Sequence, residues 1–421
     1  MSVVSQSSTS LLHHRIFRKM LMAYSSSSLG DWFDVIAIQI MVAYYWQVTP
    51  LQLAWIPVVM ALPGIFFGSW AGVWADRYSQ VKLMLISDIS ILVLTSLLLL
   101  ISNYYVLLLL LGIRSLLAVV QIPAQQSLTR RIVKEEQLLQ ASSWNGIVKQ
   151  SSKLVGPLIG GMILSMTSFS VCIVVNMVMR LGSFLLLLSI LKTNISLKTV
   201  ADATSNKPNS DSKLNENTWQ ALVEGWFFVK KQSLLLATLL FGFCGMLIIQ
   251  MVDFQFASLF RVIAPDRPYL LGWMITAAGL GALITMSYKR KQKYIYYGKN
   301  LGGAYIIIGA GILGMGLVTS GDIVTLIVIF CGLLLGVGNG LFIPIYTYIL
   351  QKETSSTMTG RVFGIENMLS SITMVIAPLL GGLWIQYTDP SSVFSILGII
   401  VSLLGISGWF FSEKIWRQEI D

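Results

Sequence analysis

The sequence predicts an all-α membrane protein, with twelve transmembrane helices in two pseudo-symmetric six-helix bundles. Three observations carry that expectation. Apolar residues fill 55% of the 421 positions and charged residues only 11%, whereas a soluble domain carries about 25% charged residues. The apolar residues form continuous runs, such as LLLLISNYYVLLLLLGI at 97–113, rather than the alternation of a barrel strand. Spanning helices and closed barrels are the two structures that satisfy the backbone in hydrocarbon, so the runs are read as helices. Lastly, SSKLVGPLIGG at 151–161 returns as SSITMVIAPLLGG at 370–382. One shift of 221 (157 to 378) carries Pro157, Gly160 and Gly161 onto Pro378, Gly381 and Gly382, and Ile122-Pro123 onto Ile343-Pro344. A repeat at half length implies two copies of one bundle.

A span needs about 20 apolar residues. A serine-rich leader, 1–19, precedes the first, and no cleavable signal peptide is expected in it. The first bundle, 20–192, holds spans at 20–46, 51–75, 82–101, 104–127, 139–165 and 169–191. A linker follows at 193–232. Its polar part, TNISLKTVADATSNKPNSDSKLNENT (193–218), reads as flexible, and WQALVEGWFFVKKQ (219–232) as an interfacial helix. The second bundle, 233–412, holds spans at 233–261, 268–288, 300–319, 323–350, 361–387 and 391–412, and the tail is 413–421.

Basic residues set the orientation. With the amino end inside, one side collects 23 of the 29 Lys and Arg, the other side two (Arg261 and Arg267), and the spans the remaining four. Both termini are therefore expected in the cytoplasm. The net charge of +10 sits in these short loops and is not read as a nucleic-acid surface. Cys172, Cys244 and Cys331 lie in apolar runs, and His13 and His14 in the leader, so no disulfide framework, metal site or cofactor is expected. The glycine-rich 300–316 stretch has no following Gly-Lys-Ser/Thr and reads as close helix packing, not a phosphate loop.

Charges inside spans are costly and mark function. Arg114 lies near the middle of span four and requires an acidic partner. Asp31 and Asp34, three apart in span one, share a helix face and are the candidates. Two adjacent carboxylates repel, so one of them can hold a proton near neutral pH. Static neutralisation of Asp by Arg is the competing explanation. The 221 shift places Asp253 of span seven opposite Trp32, and Glu366 of span eleven opposite Asn145, which adds two acids. Asn145, Lys149 and Lys153, four apart, line one face of span five and are expected to face a cavity or the span-one acids. Arg180 either pairs with a buried acid or snorkels. Asp88, six residues into span three, is expected near the cytoplasmic face, paired with Lys82 or Arg77. Trp32, Phe33, Met246, Met251, Phe254, Phe256 and Met368 offer an adaptable apolar lining.

The loop after span two reads Gly72-Val-Trp-Ala-Asp76-Arg77. This Gly-x-x-x-Asp-Arg pattern resembles the signature loop of the major facilitator superfamily, and twelve spans with a central cytoplasmic loop extend the resemblance over nearly the whole chain. Ser79-Gln80 departs from the family's usual Gly-Arg. The resemblance implies a latch between halves made by Gly72, Asp76 and Arg77. Physically, Asp76 can meet the amino end of span eleven at Gly360-Arg361, where helix dipole and guanidinium both favour an anion. Gly156-Pro157 with Gly160-Gly161 resembles the span-five motif of the family's drug–proton antiporters, and Arg114 matches the span-four arginine associated there with proton coupling. The opening GDWFDVIAIQIMVAYYWQVT resembles the macrolide-efflux-like group.

The resemblance therefore implies no enzyme, but a bacterial cytoplasmic-membrane transporter, monomeric, that exports small hydrophobic or amphiphilic compounds in exchange for protons. The expected proton-coupling residues are Asp31, Asp34, Arg114, Asp253 and Glu366. The expected cargo contacts are Asp31, Trp32, Asp34, Asn145, Lys149, Phe254, Glu366 and Met368. Its partners are small molecules, protons and the lipid bilayer. Export of an endogenous siderophore or peptide antibiotic is a second reading, with Lys149, Lys153 and Arg180 receiving an anion. A non-transporting receptor or scaffold is a third.

Overall fold

The computed structural model describes residues 11, 14–133, 137–193, 218–289, 296–319, 321, 323–355 and 358–416. Most of the 1–19 leader's start, the polar linker within 193–218 and the end of the 413–421 tail lie outside the described residues. Among those described, every regular element is helical. In chain order they are α1 (Arg15–Ile40), a π-helical turn (Met41–Tyr45), α2 (Pro50–Arg77), α3 (Gln80–Leu98), α4 (Tyr104–Ala118), α5 (Gln121–Ile132), α6 (Leu138–Met166) and α7 (Phe169–Thr193). Then come α8 (Thr218–Lys231), α9 (Ser233–Asp253), α10 (Phe256–Ile263), α11 (Tyr269–Lys289), α12 (Tyr297–Gly316), α13 (Val324–Lys352), α14 (Thr359–Tyr387), α15 (Pro390–Phe410) and α16 (Ser412–Ile415).

Among the described residues, nine helical stretches are long and apolar enough to cross a membrane. α1 and α6 are not among them because they carry the charges that matter below: Asp31 and Asp34 in α1, and Lys149 and Lys153 in α6. α12 is diluted by glycine and by Lys299 and Asn300. Polar side chains cap two of the helix starts. Asn103 Oδ1 accepts from the Tyr105 and Val106 amides at 2.9 and 3.4 Å, and Asp389 Oδ2 from the Ser392 amide at 3.0 Å, with Pro390 opening α15.

The chain divides into two compact units. The first gathers described residues up to Ile38 and from Val59 to Thr193; the second gathers Gln39–Val58 and those from Thr218 onward. In the first, α3 packs on α7, α4 and α5. Around the α1–α3 ends lies an apolar core with Phe17, Met20, Met84, Leu187 and Ile190. In the second, α12 packs along α15 and α13, α11 along α13, and α9 on α14. Glycine makes the α12–α15 approach possible: a Cβ on Gly302 would lie 2.6 Å from the Gly405 carbonyl oxygen, and one on Gly309 2.6 Å from the Ser402 nitrogen.

The half-length repeat maps to one seam in each unit. In the first, α6 crosses α1, where a Cβ on Gly160 would meet Ile36 at 2.9 Å and Phe33 at 3.0 Å. In the second, Gly381 of α14 lies against the backbone of Met251 in α9. Pro157 and Pro378 sit inside these long helices, each removing one backbone bond.

Candidate functional site

The densest chemistry in the first unit is a cluster of five charged side chains from four helices. α1 contributes Asp31 and Asp34, α3 Asp88, α4 Arg114 and α7 Arg180. Arg114 pairs with Asp34 through Nη1, and its Nη2 donates to Asp31 Oδ1 at 3.4 Å. Arg180 Nη2 donates to the same Asp31 oxygen, and its Nη1 donates to Asp88 Oδ1 at 2.8 Å. Asp88 also accepts from Gln121 Nε2 at 2.8 Å and, through Oδ2, from Ser183 Oγ at 2.5 Å. Gln121 Oε1 accepts from Arg180 Nη1 at 3.3 Å.

Burial grades the cluster. Asp88 is 0% exposed, Arg180 and Asp34 1% and Arg114 8%, while the side chain of Asp31 is 46% exposed. Asp31 is therefore the member that meets the surroundings. A buried ion pair survives only when geometry and extra hydrogen bonds offset desolvation, and Asp88 meets that condition with three donors.

The seam described above flanks the cluster. A Cβ on Gly156 would lie 2.6 Å from the Trp32 ring, so α6 closes over the residue between the two span-one acids because position 156 has no side chain. The Cys172 thiol lies 4.0 Å from the Gly160 carbonyl oxygen in the same seam.

The pairing of Asp31 and Asp34 with Arg114 is as expected from sequence. Arg180 takes the first of its two alternatives, a buried acid. The expectation for Asp88 is overturned: it is fully buried and bound to Arg180, while Arg77 and Lys82 are exposed. Asn145 turns to α5 instead of the span-one acids, accepting from Gln125 Nε2 at 3.1 Å and donating to Thr129 Oγ1 at 3.3 Å. Lys149 and Lys153 are exposed. Sequence reasoning missed Gln121, Ser183 and Asn176. The last is recoverable from spacing, because Asn176, Arg180 and Ser183 fall at i, i+4 and i+7 of span six and share a face.

In the second unit the acids are dispersed. Glu366 Oε1 accepts from Ser370 Oγ at 2.9 Å. Asp253 ends α9 and is exposed, Phe254 follows it half-buried, and Met368 is exposed. Near Glu366 an aromatic ladder runs from Tyr346 to Phe342 to Tyr305, with ring centroids 5.2 and 4.6 Å apart. Arg361 pairs with Glu224 of α8. Gly72 has open space where a Cβ would stand, Arg77 is exposed, and the side chain of Asp76 lies outside the described residues. Among the described residues, no group of three or more His, Cys, Asp or Glu is arranged to hold a metal.

The sequence profile of the Major Facilitator Superfamily matches residues 20–371. The chain belongs to that superfamily. It is a multi-pass membrane transporter and not an enzyme. It is similar to the MFS-type transporter YfiS of Bacillus subtilis (strain 168), 26% identical over 398 residues, covering 92% of this chain and 91% of the relative. It is also similar to macrolide efflux protein A of Streptococcus pyogenes, 22% identical over 360 residues, covering 82% and 83%. Among solved structures, a bacterial homolog to the human lysosomal transporter Spinster, inward-facing and occupied, superposes with a TM-score of 0.66 at 10% identity, covering 95% of this chain and 96% of that one. The peptide transporter POT in complex with sulfate gives 0.64 at 10% identity, covering 95% of each. These likenesses are likenesses of fold.

Proposed function

We propose that this superfamily member exports small hydrophobic or amphiphilic compounds from a bacterial cell in exchange for protons, by alternating access of twelve spans in two six-helix bundles. The observation that carries the proposal is the Asp31–Asp34–Arg114 group, with Asp34 and Arg114 buried and Asp31 half exposed. One permanently charged guanidinium can offset the charge of only one of the two carboxylates beside it, and Asp31, half exposed, gives cargo and water a way to reach the group. Proton and cargo then compete for the same acids. The macrolide efflux relatives and the multidrug efflux pump Tap of Mycolicibacterium fortuitum, 25% identical over 146 residues, support export as the direction.

Trp32, Asn145, Lys149, Phe254, Glu366 and Met368 are proposed cargo contacts, and Asp253 and Glu366 secondary proton sites. Gly72, Asp76, Arg77 and Arg361 are proposed as the latch, and Gly156, Pro157, Gly160 and Gly161 as the pliable seam. Both termini are placed in the cytoplasm by the basic-residue bias, and the working form is a monomer. Proteoliposomes carrying the full chain test the core of this reading. An imposed proton gradient is expected to drive accumulation of an amphiphilic dye, and Asp34→Asn to abolish that accumulation. Full gradient-driven uptake by both Asp34→Asn and Asp31→Asn would overturn it.

A further inference from the structure

In the second unit the chain beyond α15 folds back on its own bundle. α16 follows at once, and Trp416 behind it is 4% exposed. The indole Nε1 donates to Thr238 Oγ1 of α9 at 2.8 Å, and the ring meets Phe241 edge-on with centroids 5.3 Å apart. A Cβ on Gly298 of α12 would lie 2.5 Å from the Ser412 Cβ, so α16 is also held against the start of α12. The short helix is a fixed wall.

Between this wall and the start of α9 lies an open groove of about 490 Å³, lined by Ser233, Ala237, Phe411, Lys414 and Ile415. Ser233 opens one stretch long and apolar enough to cross a membrane, and Phe410 closes another. The groove therefore lies where hydrocarbon gives way to headgroups. Its lining matches that boundary. Ala237, Phe411 and Ile415 suit an acyl chain, and Ser233 and Lys414 suit a phosphate.

Charge decides between headgroups. Lys414 is exposed, and Lys230 and Lys231, also exposed, end α8 just before Ser233. The nearest acids along the described chain are engaged elsewhere, Glu413 with Lys299 at 3.6 Å and Glu224 with Arg361. Among the described residues none of these three lysines has an ion-pair partner. A zwitterionic lipid would cover the apolar side chains and leave the cations unmatched, whereas a negative headgroup matches both. The residues after Trp416, RQEID, bring one apolar side chain, Ile420, and supply little to cover Ala237 and Phe411.

We propose that this groove binds an anionic phospholipid, with its phosphate at Lys414 and Ser233 and an acyl chain along Ala237, Phe411 and Ile415. The site needs only that the chain spans a bilayer, and not proton coupling or any particular cargo. In the test, purified full chain in detergent is titrated with phosphatidylglycerol or with phosphatidylcholine of the same acyl chains, and native mass spectrometry follows the first lipid retained. Phosphatidylglycerol is expected to bind more tightly, and added salt to narrow the gap. Lys414→Gln is expected to weaken phosphatidylglycerol about fivefold, the worth of one lysine at an anionic surface, and to leave phosphatidylcholine unchanged. Ala237→Trp, which fills the groove, is expected to weaken both. Lys82→Gln, at an exposed lysine of the first unit, is expected to change neither. Equal affinity of the wild-type chain for the two lipids would overturn the proposal, and so would equal losses in Lys82→Gln and Lys414→Gln, which would mean a diffuse surface charge. If Ala237→Trp does not fold, Lys414→Gln decides, since unchanged phosphatidylglycerol binding there would also overturn it. Removing residues 417–421 is expected to leave the preference as it is. A preference that appears only after their removal would make the tail the occupant and overturn the lipid site.

Discussion

Shifted by 221 positions, the five charged residues of the first unit fall on uncharged ones in the second. Asp31, Asp34 and Asp88 correspond to Val252, Gln255 and Gly309, and Arg114 and Arg180 to Leu335 and Val401. All five counterparts are buried. The same helix pairing persists: α3 packs on α7 as α12 packs on α15. In the first unit that contact encloses an ion pair. In the second, Gly309 lets its helix close onto the backbone at Ser402. Gln255, where the first unit has Asp34, donates to the Pro50 carbonyl oxygen at 2.9 Å. One scaffold therefore carries two solutions. One half keeps buried charge with matched partners, and the other substitutes close backbone approach, which has no protonation state to change.

The largest effect that would test this contrast is expected from Arg180→Met. It strands Asp88 and half of the support of Asp31, and breaking a buried pair by removing one partner costs about 3–5 kcal/mol. Val401→Met, the matching change in the second unit, meets only crowding, at about 1–3 kcal/mol. Thermal unfolding of the two variants in detergent compares them directly, and equal losses would erase the distinction. Next in size, Asp88→Leu combined with Arg180→Leu is expected to recover most of the lost stability, because apolar replacement of a whole buried pair is often neutral; the same melting curves check it. Gly309→Val is expected to cost about 1–3 kcal/mol by forcing a side chain into the α12–α15 contact, again read from the unfolding midpoint.

The smallest change concerns Gly72. Its Cβ position is open, so Gly72→Ala is expected to gain about 0.5–1 kcal/mol from helix propensity. If the proposed latch needs a bare backbone there, dye transport falls while the melting temperature does not. A variant that is both more stable and fully active would remove Gly72 from the latch.

The all-helical membrane fold is legible because hydrocarbon imposes an apolar composition; nine stretches among the described residues carry it plainly, while α1 and α6, with their charges, and α12, with its glycines, do not. Asp31, Asp34 and Arg114 were legible for the same reason: each is an exception inside an apolar run. Depth and rotation were not. Counting from the start of its apolar run puts Asp88 near the cytoplasmic face, but its environment is set by Arg180, 92 positions away. No local pattern encodes such a pairing. The spacing of Asn145, Lys149 and Lys153 gave a common helix face correctly, yet periodicity fixes only which residues share a face, not where that face points. Asn145 turned to Gln125 and Thr129. Arg361 shows the same limit, since its partner Glu224 lies 137 positions away, in the helical part of the linker.

The thiol of Cys172 has a practical consequence. It is sealed beneath the Gly160 carbonyl in the crossing of α6 over α1, a few residues from the acids. Among the three cysteines, Cys244 is exposed and Cys331 buried. Once Cys244 is replaced by serine, Cys172 becomes a native reporter of wetting. A small neutral alkylating reagent would tag it only while that crossing gapes, so the rate of tagging would time the parting of α6 from α1 without any foreign label.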